Sequence, residues 1–151
     1  MRTIKFRAKR KDNGEWVYGA YFCIHHDDGR THLHHFIIPE NVPIPKDKPI
    51  GEIQVEIDPK TLDQFMGYTD MDGKEVYEND ILSQETSRDK LLYQINYQEA
   101  SLSYLKVTKG ELNPAWWPES MLINGRLRFY KVIGNKRDNP DLGAKISGKT
   151  A

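Results

Sequence analysis

The sequence predicts a mainly β protein, α+β at most, built as an antiparallel meander or small barrel. Three observations carry this. Short segments alternate apolar and polar residues, as in Ile4-Lys5-Phe6-Arg7-Ala8 and in Trp16 to His25, and a period of two is the mark of a half-buried strand. Hairpin dipeptides punctuate these segments at Asn13-Gly14, Asp28-Gly29, Asp72-Gly73 and Asn124-Gly125. No pattern of strands alternating with long helices supports a parallel α/β domain.

The 151 residues suit one domain or two small subdomains sharing a core. Charged residues make up 29% and aromatic residues 11%, a balance that fits a folded, soluble chain and not a disordered one. The net charge of zero excludes the global basic field common in nucleic-acid binders. Charge is nevertheless uneven: basic from Arg2 to Lys11, acid-rich from Glu40 to Asp89, and basic again from Lys106 to Arg137. The single cysteine, Cys23, has no internal disulfide partner, which fits a reducing cytoplasm. No signal peptide or long apolar run is visible, so neither secretion nor membrane spanning is expected.

In chain order, Ile4 to Lys9 forms the first strand. A three-residue loop with Gly14 in the left-handed conformation leads into the second, Trp16 to His25. That register places Phe6 with Ala20 and Phe22 on the core face, because a one-residue slip would exchange the faces. A turn centred on Asp28-Gly29 then sets Ile24 opposite Leu33 and His25 opposite His32. Pro39 to Pro49 carries four prolines and is read as a loop. Ile53 to Ile57 is another strand. Ser83 to Asp89 is a polar loop, Leu91 to Tyr97 and the segment around Leu102 to Lys106 are strands, and Lys109 to Pro118 is a turn-rich loop. Asn124-Gly125 is the clearest hairpin, pairing Leu122 with Leu127 and Ile123 with Arg126. Val132-Ile133 closes the last strand at Gly134, Asn139 to Leu142 is a final helical turn, and residues 143–151 are a frayed tail.

The stretch from Asp58 to Leu82 organises the chain. Asp58-Pro59 suits an N-cap and first helical position, with a short helical turn from Lys60 to Gln64 that ends at Gly67. Tyr68 to Asp70 and Val76-Tyr77 are short extended runs about an Asp72-Gly73 turn of type I′. Asp70, Asp72, Glu75, Glu78 and Asp80 invite a metal or acid–base reading. Turn carboxylates that bond nearby backbone N–H groups are the better account, since the spacing of a calcium loop is absent.

These residues resemble the YopX-like family of bacteriophage and prophage proteins. Asp70, Gly73, Lys74, Glu75, Val76, Tyr77, Glu78, Asp80 and Ile81 match its Asp, Lys-Asn-Gly-Lys, Glu-Ile-Tyr-Glu-Gly-Asp-Ile signature. Ile4 to Ala8 is similar to its Ile-Lys-Phe-Arg-Ala opening. Val132-Ile133-Gly134-Asn135 and Asn139-Pro140-Asp141-Leu142 resemble its close. The family often has Trp where Lys9 stands, Gly where Asn79 stands, and Thr-Gly-Leu at Thr69-Asp70-Met71. The resemblance implies an N-terminal antiparallel β-meander, residues 1–57, followed by an SH3-like small barrel, residues 58–142. It implies no established activity.

Candidate functional residues fall into three groups. Lys5, Arg7, Lys9 and Tyr21, with the histidines and with Arg126 and Arg128, compose a basic-aromatic surface for phosphate or nucleic acid. Cys23, His25, His32 and His34 are candidate zinc ligands by residue type, though the cations beside them oppose a metal. Trp116 and Trp117 place one indole in the core and the other on the surface, where it can fill a partner's pocket. No glycine loop cradles a phosphate, and Cys23 lacks the oxyanion hole and cleft of a nucleophile site, so catalysis and a cofactor are not expected. The sequence favours a protein-binding module, with nucleic-acid binding as the alternative, and leaves a homo-oligomer open through exposed strand edges.

Overall fold

A computed structural model describes residues 3–25, 32–85, 87, 90–98, 101–108, 111–116 and 122–146, with side chains described for all of these except 96–98, 101–116 and 122–123. The described chain is mainly β, with one α-helix. It divides into two compact units, Met1–Phe65 and Met66–Ala151.

The first unit contains β1 (Phe6–Lys9), β2 (Trp16–His25), β3 (Leu33–Pro39), β4 (Val55–Glu56) and the opening residues of β5 (Asp63–Thr69). Neighbouring strands run antiparallel in the order β5-β1-β2-β3-β4. The β1–β2 turn corrects the expected register. Arg10 N–H donates to the Glu15 carbonyl at 2.9 Å, so the loop holds Lys11 to Gly14, one residue more than expected. Gly14, at φ +73°, takes the left-handed position, Asn13 Oδ1 accepts from Glu15 N–H, and Arg10 pairs with Asp12 at 2.6 Å. Phe6 therefore faces Gly19, not Ala20. Ala8, Val17, Ile37 and Ile57 are the buried core, and Phe6, Tyr21, Val55 and Leu62 pack on it. Arg7 and Lys9 share the opposite face with Trp16 and Tyr18.

The β2–β3 register is also shifted by one residue from expectation: Ile24 faces His34 and His25 faces Leu33. The Asp28-Gly29 turn itself lies outside the described residues. Gly19 is required at this seam, because a Cβ there would sit 1.9 Å from the Ile38 carbonyl oxygen.

Asp58 Oδ1 accepts from Lys60 N–H at 3.0 Å, the expected cap, but the helical turn is a 3-10 turn over Pro59–Thr61 and does not reach Gln64. Asp63 and Gln64 instead pair with Arg7 and Phe6. The Arg7 guanidinium donates to Asp63 Oδ2 from Nε at 3.2 Å and from Nη2 at 3.1 Å, with both residues buried. A buried charge needs such a partner, and this pairing overrides the local helical preference of the Asp58-Pro59 start.

The second unit continues β5 and adds β6 (Glu75–Tyr77), β7 (Asp80–Glu85), β8 (Lys90–Gln98), β9 (Ser101–Thr108), β10 (Glu111–Trp116), β11 (Leu122–Ile123), β12 (Arg126–Leu127), β13 (Lys131–Asn135) and α1 (Pro140–Ile146). β6 pairs with β5, and an antiparallel sheet runs β10-β9-β8-β7-β13. The Asn124-Gly125 hairpin has the expected register, with both residues at positive φ. The core joins Met66, Tyr68, Val76, Leu82, Tyr93, Ile95, Leu127, Tyr130 and Val132.

Three loop expectations are corrected here. Glu111–Trp116, expected within a loop, is strand β10. It pairs only with β9 among the described strands, so Pro114 is tolerated at the sheet edge. β7 runs on through Glu85, beyond the expected start of a loop at Ser83. Residues 143–146 of the expected tail are helical, and Ile146 is buried. Residues 147–151 lie outside the described set.

The C-terminal motif has a physical account. Asn135 Oδ1 accepts from Arg137 and Asp138 N–H, while Asn139 Oδ1 accepts from Asn135 N–H at 3.1 Å and Asn139 N–H returns to the Asn135 carbonyl at 2.9 Å. Gly134 permits this, because a Cβ there would lie 2.1 Å from Asn139 Oδ1.

Two expectations follow for stability. Gly134→Ala pushes Asn139 out of its bonds and destabilises the protein by roughly 1–3 kcal/mol, measured by urea unfolding. Burial, followed by the neighbouring Tyr93, raises the Tyr130 phenol to about 12. The unfolded phenol, near pH 10, loses its proton first. The Tyr130 contribution is therefore intact below pH 10 and is lost as pH rises towards 12, and Tyr130→Phe flattens that decline in the unfolding midpoint.

Candidate functional site

The site begins with a turn. Among Met71-Asp72-Gly73 only Gly73 has positive φ, at +86°, so the turn is not the expected type I′. It is a three-residue connection closed by a left-handed glycine. Asp70 N–H donates to the Lys74 carbonyl at 2.7 Å, and Gly73 N–H donates to the Asp70 carbonyl at 3.1 Å. The Asp70 carboxylate, 1% exposed, binds the turn from inside. Its Oδ1 accepts from Asp72 and Lys74 N–H, each at 2.9 Å, and its Oδ2 accepts from Val132 N–H at 2.9 Å. Met71 N–H completes the tie by donating to the Tyr130 carbonyl at 3.0 Å.

A second turn follows the same logic. Asp80, also buried, accepts from Tyr77 N–H at 2.9 Å through Oδ2. Asn79 between them has φ +63°. Asn and Gly are the residues most at home in that conformation. The carboxylates of the signature stretch thus bond backbone donors, and no group of three or more metal-ligating side chains occurs among the described residues.

Because the 70–74 turn is tied to the start of β13, it holds Met71 beside Phe129. These two, with Ser83, Glu85, Arg128 and Lys131, line a concave site of about 320 Å³. That is near the small end of ligand pockets, roughly 300 Å³. Phe129 is 60% exposed and Met71 46% exposed. Asp72 holds Lys131 at 2.7 Å and, as its hydrogen-bond acceptor, raises the ammonium's pKa. Arg128 is exposed and makes no ion pair among the described residues.

A family model described as YopX protein matches residues 5–142. The chain belongs to the YopX family. The crystal structure of protein EF1440 from Enterococcus faecalis is similar to this YopX-family chain, with a TM-score of 0.52 and 22% identity, covering 94% of this chain and 99% of that one. This likeness concerns the fold. No curated protein matches the sequence. No helix among the described residues is long and apolar enough to cross a membrane.

In this YopX-family structure Arg7 and Lys9 share a face, but Tyr21 leaves it and the cations are engaged by neighbouring side chains. Arg7 lies buried against Asp63, with its guanidinium 4.8 Å from the Trp16 ring centroid, and Lys9 lies over the same ring at 5.4 Å. Lys5 pairs with Glu40 at 3.0 Å. Tyr21 is on the other face, packed on Phe6 and bonded through its hydroxyl to His35 Nδ1 at 2.8 Å. Burial, then the neighbouring Cys23, raises its pKa. Cys23 lies opposite His35, whereas His34 lies opposite Ile24, turns to the other face and approaches Glu56 Oε1 at 3.4 Å. The expected zinc ligands Cys23, His25, His32 and His34 are therefore not brought together. Arg126 and Arg128 are both exposed in the second unit, and Arg128 belongs to the concave site. Trp116 sits in β10 opposite Ser103, and Trp117 lies outside the described residues. In the Pro39–Pro49 loop, Val42 and Ile44 are exposed.

Met71 and Phe129 were not apparent as site residues in the sequence. Consecutive aromatics Phe129-Tyr130 just before a strand were the available signal; Tyr130 is buried in the core and Phe129 is exposed. Asp70→Ala leaves three backbone donors without their acceptor and destabilises the protein by about 3 kcal/mol. Asp70→Asn falls between that variant and the parent in denaturant midpoint, since one amide oxygen is retained.

Proposed function

We propose that this protein is a phage or prophage accessory protein that works in the bacterial cytoplasm as a non-enzymatic protein-binding module, its second unit serving as an SH3-like barrel. The observation that carries the reading is the concave site, where an exposed phenylalanine and methionine are held beside an arginine by a turn that Asp70 ties to β13. Aromatic residues, Met and Arg are enriched in protein interfaces, and Arg is among the residues enriched at hot spots. A rigid mount lowers the ordering cost of binding.

Engagement of Arg7 with Asp63 and of Lys5 with Glu40 supports protein recognition over phosphate binding by the N-terminal face. The use of Asp70 and Asp80 as acceptors for backbone N–H groups supports a non-enzymatic role.

The test is recovery of the tagged full chain from host lysate, with and without nuclease, eluted in rising salt. The expected result is a defined protein that resists both treatments and is lost with Phe129→Ser. Recovery of nucleic acid alone, released by salt, would overturn the reading in favour of a phosphate-binding role.

A further inference from the structure

We infer that the concave site of the second unit takes a peptide segment of a partner protein in which one large apolar side chain adjoins an Asp or Glu. The inference rests on the protein-binding reading and adds the chemistry of the ligand.

The size of the site sets the first requirement. A space of about 320 Å³ walled by Met71 and Phe129 takes in one large side chain, which a peptide segment can present. Thioether and aromatic walls favour an apolar or aromatic occupant: a methionine sulfur contacts rings favourably, and phenylalanine offers both a face and an edge.

Charge sets the second. Of the two cations at the site, Lys131 is occupied by Asp72 at 2.7 Å. Arg128 is exposed, and neither Glu85 nor any other described carboxylate pairs with it. An exposed guanidinium beside an apolar recess is matched by a carboxylate, which it binds through two parallel N–H donors. A polyanion fits less well, because Glu85 on the same rim would repel its remaining charges. A single carboxylate next to an apolar anchor satisfies both conditions.

The mounting makes the geometry definite. Arg128 and Phe129 lie between Leu127, buried in the core, and Tyr130, whose carbonyl receives Met71 N–H. Val132 N–H is held by Asp70 two residues further on. The backbone that carries the arginine and the phenylalanine is thus fixed on both sides.

Selection from a library of displayed random-sequence peptides on the immobilised full chain tests this. Enriched peptides should carry a large apolar residue adjoining Asp or Glu. Synthetic versions should bind Phe129→Ser and Arg128→Glu each roughly tenfold or more weakly. Repeating the selection on Arg128→Glu should return peptides with Lys or Arg in place of the acid, a gain that unfolding cannot produce. Peptides that bind parent and both variants alike, or a library from which nothing is enriched, would overturn the inference. If lysate recovery yields a defined protein while peptide binding ignores these variants, the protein-binding reading stands and this pocket assignment falls. If recovery yields only nucleic acid, the reading itself falls.

Discussion

The second unit depends on one buried carboxylate. Asp70 accepts three backbone N–H groups, two from its own turn and one from Val132, sixty-two positions along the chain. Buried amides must find acceptors, and a carboxylate supplies enough lone pairs to satisfy several from one point. It thereby joins a local turn to a distant strand. Everything that makes the concave site definite follows: the position of Met71, the path from Leu127 through Phe129 to Tyr130, and the start of β13.

A comparable device organises the first unit. Arg7 and Asp63 bring β1 and β5 together as a fully desolvated pair, with Trp16 against the guanidinium. The net contribution of such a pair to stability is small, because desolvation offsets much of the attraction. Breaking one partner is a different matter, since it strands a buried charge. This explains why an arginine that looks like a phosphate ligand in sequence is structural. Its neighbours on a strand alternate as a binding face would, but its charge is already neutralised from across the sheet.

The family motifs acquire distinct jobs on the same terms. The opening places Arg7 for Asp63. The central signature supplies two buried aspartates, a left-handed glycine at Gly73 and a left-handed asparagine at Asn79. The close supplies Gly134 and the Asn135–Asn139 lock. In each case the residue type is dictated by a backbone group that needs a partner or by a Cβ that has no room. The concave site is formed by residues that the motifs position, Met71 and Phe129 among them.

By itself the sequence determined the β character, the positions of strands with clear period-two alternation such as β1, β2 and β8, the Asn124-Gly125 hairpin with its register, the Asp58 cap and the family, but not β10 or the start of β5. All of these depend on interactions between residues close in sequence or on backbone preferences of single residue types. Strand register and faces were decided only in the tertiary structure. One additional residue in the Lys11–Gly14 turn moved Phe6 from Ala20 to Gly19 and put Tyr21 on the face opposite Arg7 and Lys9, and the one-residue shift between β2 and β3 parted Cys23 from His34. The partners of Arg7 and Asp70 were likewise beyond local reading, because Asp63 and Val132 lie 56 and 62 positions away. A buried ion pair and a turn carboxylate look the same in sequence as an exposed cation and a metal ligand. Folding distinguishes them, by removing water and supplying the groups that take its place.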